Sequence, residues 1–171
     1  MTLPRILSLL SLSALLVLGG CSLPKYSFTG AAVPENVQTI SIATFPNYAS
    51  LAPPTLSQSF TEALKDIFIR QTRLTLVGSN GDVQLDGQIT DYRFSDEAIS
   101  GSEQATLNRL TITVKVSYED TKNPENSYDQ TFTNFAQFDS GVNPSDVQEA
   151  LITEINEKLV QDIFNRTLGN W

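Results

Sequence analysis

The chain has 171 residues with a single Cys and no His, and 19 acidic side chains against 11 basic ones give a net charge of −8. That balance excludes a general nucleic-acid binder, which needs a basic footprint, and it gives no overall grip on anionic lipid. The missing His removes the commonest general base and metal ligand, and a lone Cys cannot form a disulfide within the chain.

Arg5 and the terminal amine make a weakly positive start, and Ile6 to Leu18 is then almost wholly apolar. This run of about 13 residues falls short of the ~20 that a spanning helix needs, so it fits the apolar region of a signal peptide. Leu18-Gly19-Gly20-Cys21 follows. It resembles the lipobox of bacterial lipoproteins, with cleavage between Gly20 and Cys21 and acylation of the Cys21 sulfur. An ordinary secretory signal with an incidental Cys, or an uncleaved anchor, is the plainer alternative. Each buried methylene contributes roughly 0.8 kcal/mol, so the several chains of a lipoprotein, palmitate among them, hold far more firmly than one. Acylation also disposes of a thiol that would be a liability in an oxidising compartment. Ser22 stands where enterobacterial sorting rules place Asp for retention in the inner membrane, and no acidic run follows. The expected location is therefore the outer membrane, lipid-anchored, on the periplasmic side.

Removing residues 1–20 leaves 151, which suits one domain and can bury about 70% of its unfolded surface without a staple. Residues 21–36, with Pro24, Gly30 and Pro34, read as a lipidated tether, and residues 37–171 as the domain. Val37 to Phe45 alternates as a strand with Ile40 and Ile42 on one face. Pro53 and Pro54 precede a helix over Leu56–Gln71. Its Leu56, Phe60, Ala63, Leu64, Ile67 and Phe68 make one apolar stripe, the pattern of a helix covering a sheet. Arg73–Val77 is a short strand and Gly78–Gly81 a turn. Asp82–Phe94 is a longer strand with Val83, Leu85, Gly87 and Ile89 on one side. Gly87 marks either a bulge or a close approach by another element. Ser95–Thr106 is expected to form the loop of a long hairpin.

Leu107–Glu119 alternates strictly: Leu110, Ile112, Val114, Val116 and Tyr118 on one face, and Arg109, Thr111, Thr113, Lys115 and Ser117 on the other. Ser127–Phe138 returns with Tyr128, Phe132, Ala136 and Phe138 on one side. Arg109 and Lys115 are candidates for meeting phosphate or carboxylate groups; ordinary solvated sheet surface is the competing reading. Asn143-Pro144-Ser145-Asp146 then starts a helix, with Asn143 as cap and Asp146 at its positive end. Val147, Leu151, Ile155, Leu159 and Ile163 face a core, widened by Ile152, Val160 and Phe164. Trp171 is expected to anchor the chain end.

The sequence holds no P-loop, no Gly-rich dinucleotide turn, no G-x-S-x-G elbow and no Cys/His metal set. No enzyme, no metal and no cofactor beyond the acyl chains on Cys21 is expected. The order of elements resembles the LptE family of lipopolysaccharide-assembly lipoproteins, in a form like that of Bacteroidetes-type bacteria. Four stretches carry the resemblance: Tyr26–Gly30, Pro54–Asp66, Asn108–Val116 and Asp162–Asn165. It implies an α+β two-layer sandwich, with two helices packed on one face of a roughly four-stranded mixed sheet. It also implies a non-catalytic plug in the LptD β-barrel that helps place lipopolysaccharide in the outer leaflet. Two other classes stay open: a periplasmic regulator lipoprotein activating a cell-wall enzyme, and a small-ligand binding module, which needs a deep apolar pocket.

Overall fold

The computed structural model describes residues 33–97 and 107–168. Gly20, Cys21, the tether up to residue 32, most of the expected hairpin loop and Trp171 lie outside the described residues. The strands are β1 (Thr39–Ile42), β2 (Thr75–Val77), β3 (Val83–Glu97), β4 (Leu107–Asp120) and β5 (Tyr128–Asp139), and the helices are α1 (Leu56–Gln71) and α2 (Pro144–Leu168). The sheet order is β2-β1-β3-β4-β5. β1 runs parallel to both β2 and β3, and the other pairs are antiparallel. The α+β class and mixed sheet are as expected. The sheet has five strands rather than roughly four, because the three-residue β2 pairs along the outer edge of β1.

The core lies between the inner face of the sheet and the two helices. Leu110, Ile112, Val114 and Val116 of β4 are fully buried, as are Leu56, Phe60 and Leu64 of α1 and Ile155, Leu159 and Ile163 of α2. The Phe68 and Phe164 rings meet edge to face at 5.2 Å and join α1 to α2. Asn143 Oδ1 accepts from Ser145 N at 3.1 Å, so the expected cap opens α2. At the far end of that helix Thr167 bonds the Tyr128 hydroxyl of β5 at 2.8 Å.

Past β1 the chain stays beside β3 without forming a regular strand. Ala43 N donates to Leu85 O, Ile89 N to Pro46 O and Tyr48 N to Ile89 O, each at 2.9 Å. Phe45 turns inward there against Phe60. Phe45 N donates to Thr61 Oγ1 at 3.1 Å and its carbonyl accepts from Ser57 at 2.6 Å, which stitches this segment to α1. Gly87 makes room for it: a Cβ at position 87 would collide with the Phe45 ring and the Lys115 carbonyl oxygen. Gly87 is therefore the close approach. The bulge lies further on, between Ile89 and Asp91, and turns Tyr92 and Phe94 inward where Asp91 and Arg93 would otherwise point.

The opposite end of the sheet is held by Asp82. Its Oδ2 accepts from Gln38 N, Thr39 N and Thr39 Oγ1, and its Oδ1 pairs with Lys122 at 3.0 Å. These donors, led by Gln38 N, hold the Asp82 carboxyl well below the usual carboxylate range.

Candidate functional site

Both helices lie on one side of the sheet and leave the other side open. Cross-strand pairing sets that open face out in rows: Asp86–Ser117–Asp129, Gln88–Lys115–Thr131, Asp91–Thr113–Thr133, Arg93–Thr111–Phe135 and Ser95–Arg109–Gln137. Period-two geometry puts these side chains on the face opposite the core. Thr113 and Thr133 share a hydrogen bond at 3.0 Å across the middle row.

Arg109 and Lys115 both stand on this face, but the structure does not bring them together. They stand six positions apart on one strand, about 20 Å at ~3.3 Å per residue. Arg109 is half-buried, with its guanidinium carbon 4.0 Å from the centre of the Phe135 ring. Stacking of this kind fixes a cation in place and contributes roughly 0.5–1 kcal/mol at an exposed site. Lys115 is exposed and lines a shallow depression of about 350 Å³ with Pro46, Tyr48, Asp86, Gln88, Ser117 and Asp129.

Within the five rows, the cations Arg93, Arg109 and Lys115 stand among the carboxylates Asp86, Asp91 and Asp129. Arg93 and Asp91 are paired at 3.1 Å. Glu119 and Asp139 stand in the same outward phase at the ends of β4 and β5, so the face presents two separate cationic points on a threonine-rich surface that is acidic on balance. Such a surface suits recognition by many hydrogen bonds more than capture of a polyanion. Tyr48 and Phe135 add aromatic surface, at 69% and 40% exposed. Neither was a candidate from sequence. Phe135 falls in the outward phase of β5, which was legible, but its place against Arg109 depends on register. Tyr48 reaches the face only because the chain continues beside β3 after Pro46.

Among the described residues, no three His, Cys, Asp or Glu side chains gather where they would hold a metal ion. Among the same residues, no helix is long and apolar enough to cross a membrane.

A family model described as LptE, lipopolysaccharide-assembly, matches residues 37–167, which include every strand of the sheet and nearly all of both helices. The chain belongs to the LptE family. Membership gives it a role in lipopolysaccharide assembly and places it among envelope lipoproteins; the family is one of non-enzymatic assembly factors. Solved structures share the fold at low identity. A minor lipoprotein of Acinetobacter baumannii is 16% identical with a TM-score of 0.52, over 79% of this chain and 95% of that one. A hypothetical protein of Chlamydia trachomatis is 9% identical with a TM-score of 0.54, over 78% of this chain and 99% of the other. A protein of Xanthomonas campestris is 13% identical with a TM-score of 0.51, over 81% and 90%. No curated protein matches the chain. At this identity the likenesses to these structures speak for the fold alone.

Proposed function

We propose that this LptE-family chain is a non-catalytic assembly factor, anchored in the outer membrane by acyl chains on Cys21 after cleavage behind Gly20. Its domain faces the periplasmic side and docks with an LptD-like β-barrel during transport and insertion of lipopolysaccharide. The observation that carries the reading is the family match over residues 37–167, joined to a sheet with one face left uncovered by its own helices. Arg109 and Lys115 are the proposed points of contact with the barrel or with anionic groups of the glycolipid. They act as two positions about 20 Å apart, set by strand spacing, rather than as one patch.

The test is a mild-detergent pull-down of the full chain from envelopes, with the co-eluting proteins identified. An outer-membrane β-barrel is the expected partner. Recovery of a cell-wall synthase in its place overturns the reading in favour of a regulator. Cys21→Ser is expected to release the protein from membranes, and complete membrane retention of that variant removes the anchor from the account.

A further inference from the structure

The sheet ends in two unlike edges. β2, on one side, is three residues long, and a short edge strand is a common guard against unwanted pairing. β5, on the other, runs for 12 residues with no Pro, no Gly and no shift of register against β4. Leu85 and Ile89 aim their backbone groups at the Ala43–Tyr48 segment. Carried across the ladders, that phase aims the backbone N–H and C=O of Asp129, Thr131, Thr133 and Phe135 out of the sheet. The Phe135 carbonyl confirms the direction, since Lys158 Nζ of α2 reaches it at 3.0 Å. All four residues are exposed, and among the described residues no strand pairs with this edge. The helix side of the edge is polar. Asn134 Nδ2 donates to Asp162 at 2.6 Å, and Gln130 Oε1 accepts from Arg166 at 3.0 Å. An amide holds both an acceptor and donors, so Asn134 keeps its oxygen, and Gln130 its nitrogen, for another partner.

We propose that β5 pairs antiparallel with β5 of a second copy, centred on Phe132, and joins the two sheets into one. A two-fold contact repeats each pair. Asp129 stands against Phe135 of the second copy, and Thr131 against Thr133. The seam gains about eight backbone hydrogen bonds, and Lys158 yields the Phe135 carbonyl to the incoming Asp129 N–H. On the helix side Gln130 Nε2 donates to Asn134 Oδ1 of the second copy. Arg166 behind the one amide then faces Asp162 behind the other. On the open face Asp129 meets the Phe135 ring that carries Arg109 of the second copy at 4.0 Å. Opposite charges therefore lie across the seam on both faces. Other registers fit worse. Sliding one strand by two residues sets Phe132 against Asn134 or Gln130, according to direction, and the register of fullest overlap sets Asp129 against Asp139. The open faces stay uncovered in the pair, so the proposal stands apart from docking with a barrel.

The experiment follows the full chain in a non-ionic detergent by sedimentation velocity, up to about 0.1 mM, a range that saturates weak specific contacts. A monomer–dimer equilibrium is expected. Thr131→Pro removes an outward N–H, which an edge strand tolerates, so its melting temperature is expected to hold while dimerisation weakens about tenfold or more. Lys158→Met frees the Phe135 carbonyl and is expected to strengthen dimerisation about threefold. Thr131→Cys mixed with Thr133→Cys is expected to form a disulfide between the two variants under mild oxidation, located by peptide mass, in preference to either variant with itself. A monomer throughout the series overturns the proposal, as does undiminished association of Thr131→Pro. Disulfides confined to like variants overturn the register.

Discussion

The two sides of β4 belong to one strand with the same neighbours, yet their environments are opposite. On the inner side Leu110, Ile112, Val114 and Val116 are fully buried beneath the helices. On the outer side Arg109, Thr111 and Thr113 are half-buried and Lys115 and Ser117 are exposed. Burying an aliphatic side chain contributes about 1.5–3 kcal/mol, so the inner row alone accounts for a large share of a small domain's stability. The outer row contributes little of that kind and is free to be shaped by what it meets. On the proposed reading, the contrast separates what makes the molecule fold from what it presents to a partner.

Substitutions on the two sides should therefore differ in kind. Ile112→Ala on the covered side is expected to cost about 3 kcal/mol by loss of contact and an unfilled cavity, measured by denaturant unfolding. Gly87→Ala is expected to cost about 2 kcal/mol or more, because the new methyl group meets a backbone carbonyl and the Phe45 ring, neither of which can withdraw. Asp82 supplies a pH-dependent contrast. Its folded pKa is depressed, so its contribution is complete at neutral pH and fades as pH falls through the ordinary carboxylate range, near 4, towards the lower folded value. Asp82→Asn is expected to lower stability at pH 7 and to flatten the acid limb of the stability curve; parallel curves for the two proteins would remove this role.

Smaller effects refine the same contrast. Among the described residues the Tyr118 hydroxyl is buried without a partner, and burial is the main cause that pushes its pKa up. Tyr118→Phe is expected to stabilise the fold by about 1 kcal/mol in the same unfolding assay. Charge reversal of Arg109 and Lys115 together is expected to change stability least, by about 1 kcal/mol or less, since both side chains lie outside the core and the Phe135 stacking on Arg109 is a contribution of that size. Its effect should appear instead in binding to anionic glycolipid or to the barrel, and unchanged binding would return both residues to ordinary surface.

Much of the covered side was legible from residues alone. Strict alternation from Arg109 to Tyr118 set both faces of β4, and the apolar stripes at Leu56–Phe68 and Leu151–Phe164 named the core sides of both helices. Five strand-like stretches were also present in the sequence; only the resemblance implied fewer. The bulge in β3 was readable in principle, because the apolar phase changes between Ile89 and Tyr92, but Gly87 drew attention away from it. The open face was legible only as polar. Its rows depend on register across three strands, and no local pattern tells Arg109 that Phe135 lies beside it or tells Lys115 that Asp86 and Asp129 do.

The most direct measurement places a photo-reactive residue at Thr113, in the middle of the open face, and at Gln161 on the outer surface of α2, each in the full chain in living envelopes. Thr113 is predicted to cross-link to an outer-membrane β-barrel, with the domain still folded. Capture of the barrel from Gln161 with none from Thr113 would contradict the claim that the uncovered side of the sheet is the working surface.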